Sequence, residues 1–286
     1  MVRSAPIDGV SLAYEREGTG PAVVLLHGWP GDRADWRAVR PLLGDELEVI
    51  VPDLRGFGES DRPQGDPTDL YAAPAQARSV IGLLDELGIA AAVIAGYDVG
   101  SRVAQRIARD APGRVRALVL SPPMPGVGRR VLGADAQREY WYQSFHRLAL
   151  PEELIDGRPD AVRAYLAHFW SHWSGPHFTL DASDLERLVA VYGSPGAFLS
   201  SIAWYRAGSG TVATSLAEEP PAPGDRVAIP TTVLWPTHDP LFPPEWGDRL
   251  DEFHTAATVR RLEGAGHFTP LEAPAELAAA IRAAAL

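Results

Sequence analysis

Short apolar runs alternate with longer stretches of helical periodicity along most of the chain. The runs fall at residues 11–16, 22–26, 48–52, 91–95 and 117–120, and resume after a long gap at 231–235 and 258–262. Runs such as AVVLL and AVIA show no polar alternation, so both of their faces need cover. That predicts strands of a mostly parallel sheet with helices on each side. Helical spacing at 33–43, 71–87, 99–109 and 274–285 supplies the cover, and the last of these opens with Pro, whose missing N–H costs nothing in a first turn. The predicted class is α/β.

Residues 122–227 have a different texture. Trp141, Trp170, Trp173 and Trp204 lie there, the patterning is helical, and no strand-like run appears. This predicts a helical cap inserted between the sixth and seventh strands, with residues 1–121 and 228–286 forming the core domain and the Pro-rich EEPPAPGD at 218–225 as the return linker.

The run at 91–95 leads directly into Gly96-Tyr97-Asp98-Val99-Gly100 and then into a helical stretch. Strand, sharp turn and helix is the setting of a nucleophile elbow, where small residues flank one exposed, strained side chain. A carboxylate there is held ionised by the helix dipole and free backbone N–H groups, which suits a nucleophile. An ordinary helix N-cap favours Asp for the same reason, so the pentapeptide leaves both readings open.

Three further features belong with it. The strand PAVVLL ends in His27-Gly28-Trp29-Pro30-Gly31, a turn placed to offer the Trp29 N–H to an oxyanion hole beside the Val99 N–H. The run TTVLWP leads to Thr237-His238-Asp239, a carboxylate just past a strand. Another strand, TVRRL, leads to Gly264-Ala265-Gly266-His267. Nucleophile, acid and base thus follow in the order 98, 239, 267.

With these motifs the sequence resembles the α/β-hydrolase fold over nearly its whole length, and the DLRGFGES stretch at 53–60 resembles the loop after that family's fourth strand. An aspartate nucleophile changes the chemistry expected of the fold. Attack by a carboxylate on a saturated carbon leaves an ester, whose carbonyl water can then cleave; His267, oriented by Asp239, would activate that water. Epoxides and organohalides are the substrates this implies.

Tyr140-Trp141-Tyr142-Gln143 and Ala203-Trp204-Tyr205-Arg206 resemble the epoxide hydrolase family, whose cap supplies two tyrosines to the epoxide oxygen. The resemblance points to Tyr142 and Tyr205. Tyr140 lies about 200° from Tyr142 around a helix, so only one of the two is expected to face the site. Trp141, Gln143, Trp204 and Phe268 are expected to line the substrate pocket. Dehalogenases place Trp or Arg directly after the nucleophile, where this chain has Val99; that residue is expected to enlarge the pocket floor for a bulky or aromatic epoxide. A dehalogenase with the same nucleophile, or a ligand-binding pseudo-hydrolase, are the alternatives.

Composition narrows the partners. All 26 basic residues are Arg against 37 acidic ones, a net charge of −11 that repels phosphate backbones and anionic lipid. With no Cys there is no disulfide or thiolate chemistry. No signal-peptide pattern is read near the N-terminus and no membrane span, so a cytoplasmic monomer or homodimer is expected. Its partners would be a small-molecule epoxide and water, with no nucleic acid and no membrane. No cofactor is expected and no metal. His168 and His172 have helical metal-pair spacing but lack a third ligand. His27 is expected to be structural, His238 a neighbour of the acid, and Arg55 and Arg102 to brace the elbow through ion pairs.

Overall fold

The computed structural model describes residues 2–286. Among them one eight-stranded sheet forms the centre: β1 (Val2–Arg3), β2 (Ala13–Glu17), β3 (Ala22–Leu26), β4 (Glu48–Pro52), β5 (Ala92–Gly96), β6 (Val115–Leu120), β7 (Thr231–Pro236) and β8 (Ala257–Leu262). The spatial order is β1-β2-β4-β3-β5-β6-β7-β8. The β1–β2 and β2–β4 pairs are antiparallel and the rest parallel. Every residue of β3 and β5 is buried, as their unbroken apolar pattern requires. At the outer edge, β8 turns Val259, Arg260 and Arg261 to solvent, and charged side chains on an edge strand discourage pairing with a second molecule. β1, two residues long, has no counterpart in the hydrophobic pattern.

The core helices are α1 (Arg40–Leu43), α2 (Pro67–Tyr71), α3 (Ala73–Glu86) and α4 (Val99–Asp110) before the insertion. Within the insertion lie α5 (Ala134–Glu139), α6 (Trp141–His146), α7 (Leu150–Leu154), α8 (Pro159–His172), α9 (Ala182–Tyr192), α10 (Ala197–Arg206) and α11 (Thr211–Ala217). The chain ends with α12 (Thr269–Glu272) and α13 (Pro274–Ala285). Helix α4 packs with α3, and α13 with α1; α4 and α13 both lie against β3, β5 and β6. No described helix is long and apolar enough to cross a membrane.

Two predicted helices are broken, each by a proline. Residues 33–43 divide into a 3-10 turn (Arg33–Ala38) and α1, because Pro41 cannot donate to the preceding turn. The stretch 71–87 starts its long helix only at Ala73: Pro74 is tolerated in a first turn but not deeper, and Ala72 before it is extended at φ −62°, ψ 160°.

The sheet positions the chemistry. Strands β3 and β5 are adjacent, yet the chain runs from β3 to β4 on one side and from β5 to β6 on the other. Their carboxyl ends therefore flank the crevice where open α/β sheets bind ligands. Helices α5–α11 lie between β6 and β7, and Tyr142 of α6 and Tyr205 of α10 pack on Trp29 just past the end of β3.

Candidate active site

β5 and α4 are joined at Asp98, which adopts φ 48°, ψ −120°. Such a conformation is strained for a side chain with a Cβ, and it thrusts the carboxylate out of the turn. The tight turn depends on its small neighbours. A Cβ at Gly100 would overlap the Leu26 carbonyl, and one at Gly28 would sit 2.7 Å from the Asp98 Cβ.

Asp98 Oδ2 accepts the Trp29 N–H at 2.7 Å, and the Val99 N–H also bonds the carboxylate. Oδ1 lies 3.9 Å from His267 Nε2, which has no partner of its own. On the other side of the ring, His267 Nδ1 and Asp239 Oδ2 are 2.8 Å apart, and Asp239 Oδ1 is pinned by the Leu241 N–H at 2.8 Å. Asp98, Asp239 and His267, from three separate loops, thus form a single line.

Burial shapes their protonation. It raises the Asp98 pKa, and the His267 charge and the two N–H donors only partly oppose it. For His267, burial alone would lower the pKa, but the Asp239 carboxylate, its hydrogen bond and the Asp98 charge outweigh it, so the net shift is upward.

Above this line stand rings. The Trp29 side chain, with no exposure, is stacked on Tyr142 and meets His146, Tyr165, Phe169, Trp173 and Tyr205 at steep angles. Tyr142 and Tyr205 hydrogen-bond each other, and Gln143 Nε2 donates to the Tyr142 hydroxyl at 3.1 Å. Burial, aided by the Asp98 charge, raises both phenols far above the usual tyrosine range, so both stay protonated O–H groups. Tyr140 is committed elsewhere, donating to the Leu241 carbonyl at 2.6 Å.

Several expected pocket residues do other work. Trp141 is 43% exposed and stacks on Phe169, because its position is turned about 100° around α6 from the buried Tyr142. Gln143 spends both ends on protein: besides Tyr142, its Oε1 accepts the Val212 N–H at 3.0 Å. Trp204 borders a different cavity, beside Arg102 and His254. Phe268 has no exposure; it stacks on Trp170 and meets the His267 ring edge-on. Val99 is 1% exposed and belongs to the hydrophobic core.

The structural residues also divide. His27 bonds the Gly28 carbonyl and accepts the Leu54 N–H, and burial lowers its pKa to about 4, so it is neutral. His238 is exposed beside Thr237. Arg55 bonds Ser79 and Asp8. Among the described residues the carboxylate paired with Arg102 is Glu218, at 3.8 Å, which is too long for a hydrogen bond. His172 pairs with Glu139 at 2.7 Å and stacks on His168.

Three positioning groups had not been singled out as site residues. Glu272 accepts N–H bonds from Gly266 and Phe268 on the His267 loop and from Gly175 of the insertion, at 2.7, 3.0 and 2.7 Å. Its spacing from Phe268 fits a helix-start carboxylate, but the Gly175 link is invisible locally. Trp173 lies 5.1 Å from the His267 ring, and its carbonyl accepts the His267 N–H. Tyr97 donates to Asp35 at 2.6 Å, and burial raises that carboxyl to about 8.

The chain matches the alpha/beta hydrolase fold family over residues 21–274. It is 33% identical over 199 residues to a fluoroacetate dehalogenase of Burkholderia sp., a match covering 68% of this chain and 64% of that protein, less than two thirds of its length. Similarity to a soluble epoxide hydrolase of Corynebacterium sp. (strain C12) is 28% over 289 residues, covering 94% of this chain and 92% of the relative. The solved structure of the epoxide hydrolase CorEH without ligand superposes with a TM-score of 0.83 at 26% identity, over 98% of this chain and 96% of that one. The crossover order of the sheet, the strained turn after its central strand and this match over most of the chain agree: the protein belongs to the α/β-hydrolase fold family.

Proposed function

We propose that this hydrolase opens an aromatic epoxide to a vicinal diol through an ester of Asp98. The observation that carries the reading is the tyrosine pair. Tyr142 oxygen already accepts from Gln143, and its bond to Tyr205 leaves at least one phenolic proton free to point toward the carboxylate crevice. An opening epoxide leaves an alkoxide that needs such a donor, whereas a departing halide is a weak base and needs none.

Asp98 Oδ1 attacks a ring carbon, the C–O bond breaks, and a phenol gives its proton to the leaving oxygen. The carbonyl oxygen of the resulting ester, Oδ2, already accepts the Trp29 N–H, and this donor together with the Val99 N–H, which also bonds the carboxylate, holds the tetrahedral oxyanion in this scheme. His267 Nε2 takes a proton from water, which attacks the ester carbonyl; Asp239 supports the imidazolium. On collapse the imidazolium protonates the departing alkoxide, releasing the diol, and the proton left on the Asp98 carboxyl returns to the phenolate, so that phenol, imidazole and carboxylate are all restored. Alkylation also neutralises Asp98, one of the charges that raise the His267 pKa, so the imidazole becomes easier to keep neutral when its role as base begins.

The cap, residues 122–227 in this reading, is held down by Tyr192 to the Gly31 carbonyl, by Arg187 to Asp32 and by Glu272 to Gly175. With rings packed over Asp98, a bulky substrate enters only when they shift. The aromatic walls favour an aryl substituent over a polar one.

Dehalogenation is the second reading, favoured by the 33% identity to the fluoroacetate enzyme. Styrene oxide and a panel of fluoro- and chloro-organics separate the two: diol from the epoxide with no halide released supports the proposal, and halide release without diol formation overturns it. Tyr142→Phe and Tyr205→Phe are each expected to lower kcat for styrene oxide by roughly 10- to 100-fold, and the double variant to below about 1% of the parent. Unchanged kcat in the folded double variant would remove the tyrosines from the mechanism.

A further inference from the structure

We propose that a cavity of about 480 Å³, between α4, the end of α10 and the return segment, is a second ligand site built for a small monocarboxylate with an apolar body. Arg102, Trp204, Glu218, Val227, Phe253 and His254 border it; Asp98, Trp29, Tyr142 and His267 do not.

Arg102 supplies the argument. It keeps 8% of its exposure, and its Nε and Nη2 have no hydrogen-bond partner. A buried guanidinium with two unpaired donors is costly to the fold. Those two atoms form one edge of the guanidinium, the edge that grips a carboxylate with two parallel N–H···O bonds. Glu218 stands near the other side, 3.8 Å from Nη1, with its second oxygen tied to the Gly126 N–H at 2.8 Å. Glu218 therefore cannot use the free edge without leaving Gly126.

A second orphan belongs to another residue that borders the cavity. His254, 4% exposed, has an unpartnered Nδ1, and burial together with the Arg109 charge lowers its pKa to about 4. It is a neutral ring that can donate or accept one bond without adding charge. Trp204, Val227 and Phe253 provide apolar wall for the rest of the molecule.

The charge of the occupant follows from the lining. Arg102, Arg106 and Arg109 are opposed by Glu218, Glu219 and Asp225, and Arg106 is already paired with Asp110. One negative charge compensates Arg102; the second charge of a phosphate would face the three carboxylates. A volume of this size holds an arylalkanoate comfortably. Because Arg102 N–H donates to the Asp98 carbonyl at 3.2 Å, the occupant would brace the helix that carries the elbow.

The test is calorimetric titration of the whole protein with phenylacetate, 2-phenylethanol and phenyl phosphate. Phenylacetate is expected to bind once per chain and at least tenfold more tightly than either analogue. Arg102→Gln should lose at least tenfold in affinity. Since Arg102 is buried, Ala217→Trp, which fills the cavity from its exposed rim with the guanidinium intact, should also abolish binding, whereas Asp98→Asn should leave it unchanged. The proposal is overturned by binding that survives Ala217→Trp, by binding lost in Asp98→Asn, by a preference for phenyl phosphate, or by no phenylacetate binding at millimolar concentration. Turnover enters none of these readouts, so the outcome is independent of the epoxide reading.

Discussion

Asp98→Ala is expected to lower kcat/KM for an epoxide by about 10⁴-fold or more, because Asp239, the other carboxylate of the line, has its two oxygens held by His267 and the Leu241 N–H and cannot replace the nucleophile. The loss should come without loss of fold. Burial raises the Asp98 pKa, so the ionised carboxylate costs folded-state stability at every pH above its ordinary range, and removing it relieves that cost. The strained backbone at φ 48° is kept by Asn better than by Ala, so Asp98→Asn should melt at or above the parent temperature and be equally inactive. Circular dichroism melts beside steady-state rates check both halves. In H₂¹⁸O, with enzyme in excess over epoxide, the parent should take ¹⁸O into the Asp98 carboxyl and not into the first diol released. Label in that diol alone would show direct attack by water and remove the ester from the scheme.

His267→Gln divides the reaction at its middle. Oδ1 can still attack, since the Trp29 and Val99 N–H groups that orient the carboxylate do not involve the imidazole. The ester then lacks its base. Turnover should fall by about 10³-fold or more. Intact-protein mass spectrometry should find one substrate mass added per chain, mapped by peptide digestion to Asp98. In the parent, hydrolysis needs neutral His267, and that group's pKa is raised in the free protein. In the ester the Asp98 charge is gone while Asp239 still supports the ring, so turnover is present above the ester-state pKa of His267 and lost as pH falls through it, at a pH below the one at which His267 titrates in the free protein. The same limb should be absent from whatever residual rate the variant keeps. An unmodified, inactive His267→Gln protein would mean that His267 is needed before the ester forms.

The elements carrying these groups were legible because strand burial and turn chemistry are local. β3 and β5 have apolar runs that only a doubly covered sheet accommodates, and Gly96 to Gly100 could hardly be anything but a sharp turn. The exact helix boundaries near Pro41 and Pro74 were harder, since periodicity continues through a residue whose missing N–H breaks the ladder. Side-chain direction in the insertion was harder still. Trp141 and Tyr142 are neighbours in sequence, yet one is 43% exposed and the other 2%, a difference set by which face of α6 meets Trp29. Gln143 looks like a pocket residue from its motif and is instead the holder of a phenol.

By itself, then, the sequence determined the α/β class, the order of the strands along the chain and the loops on which Asp98, Asp239 and His267 sit, because periodicity and turn residues act over a few positions. Tertiary structure alone decided that His267 Nδ1 meets Asp239 at 2.8 Å, that Glu272 ties the His267 loop to Gly175, and that Trp204 and Arg102 share a cavity apart from Asp98. These contacts join residues distant in sequence, and their geometry depends on how whole layers pack, which no local pattern encodes.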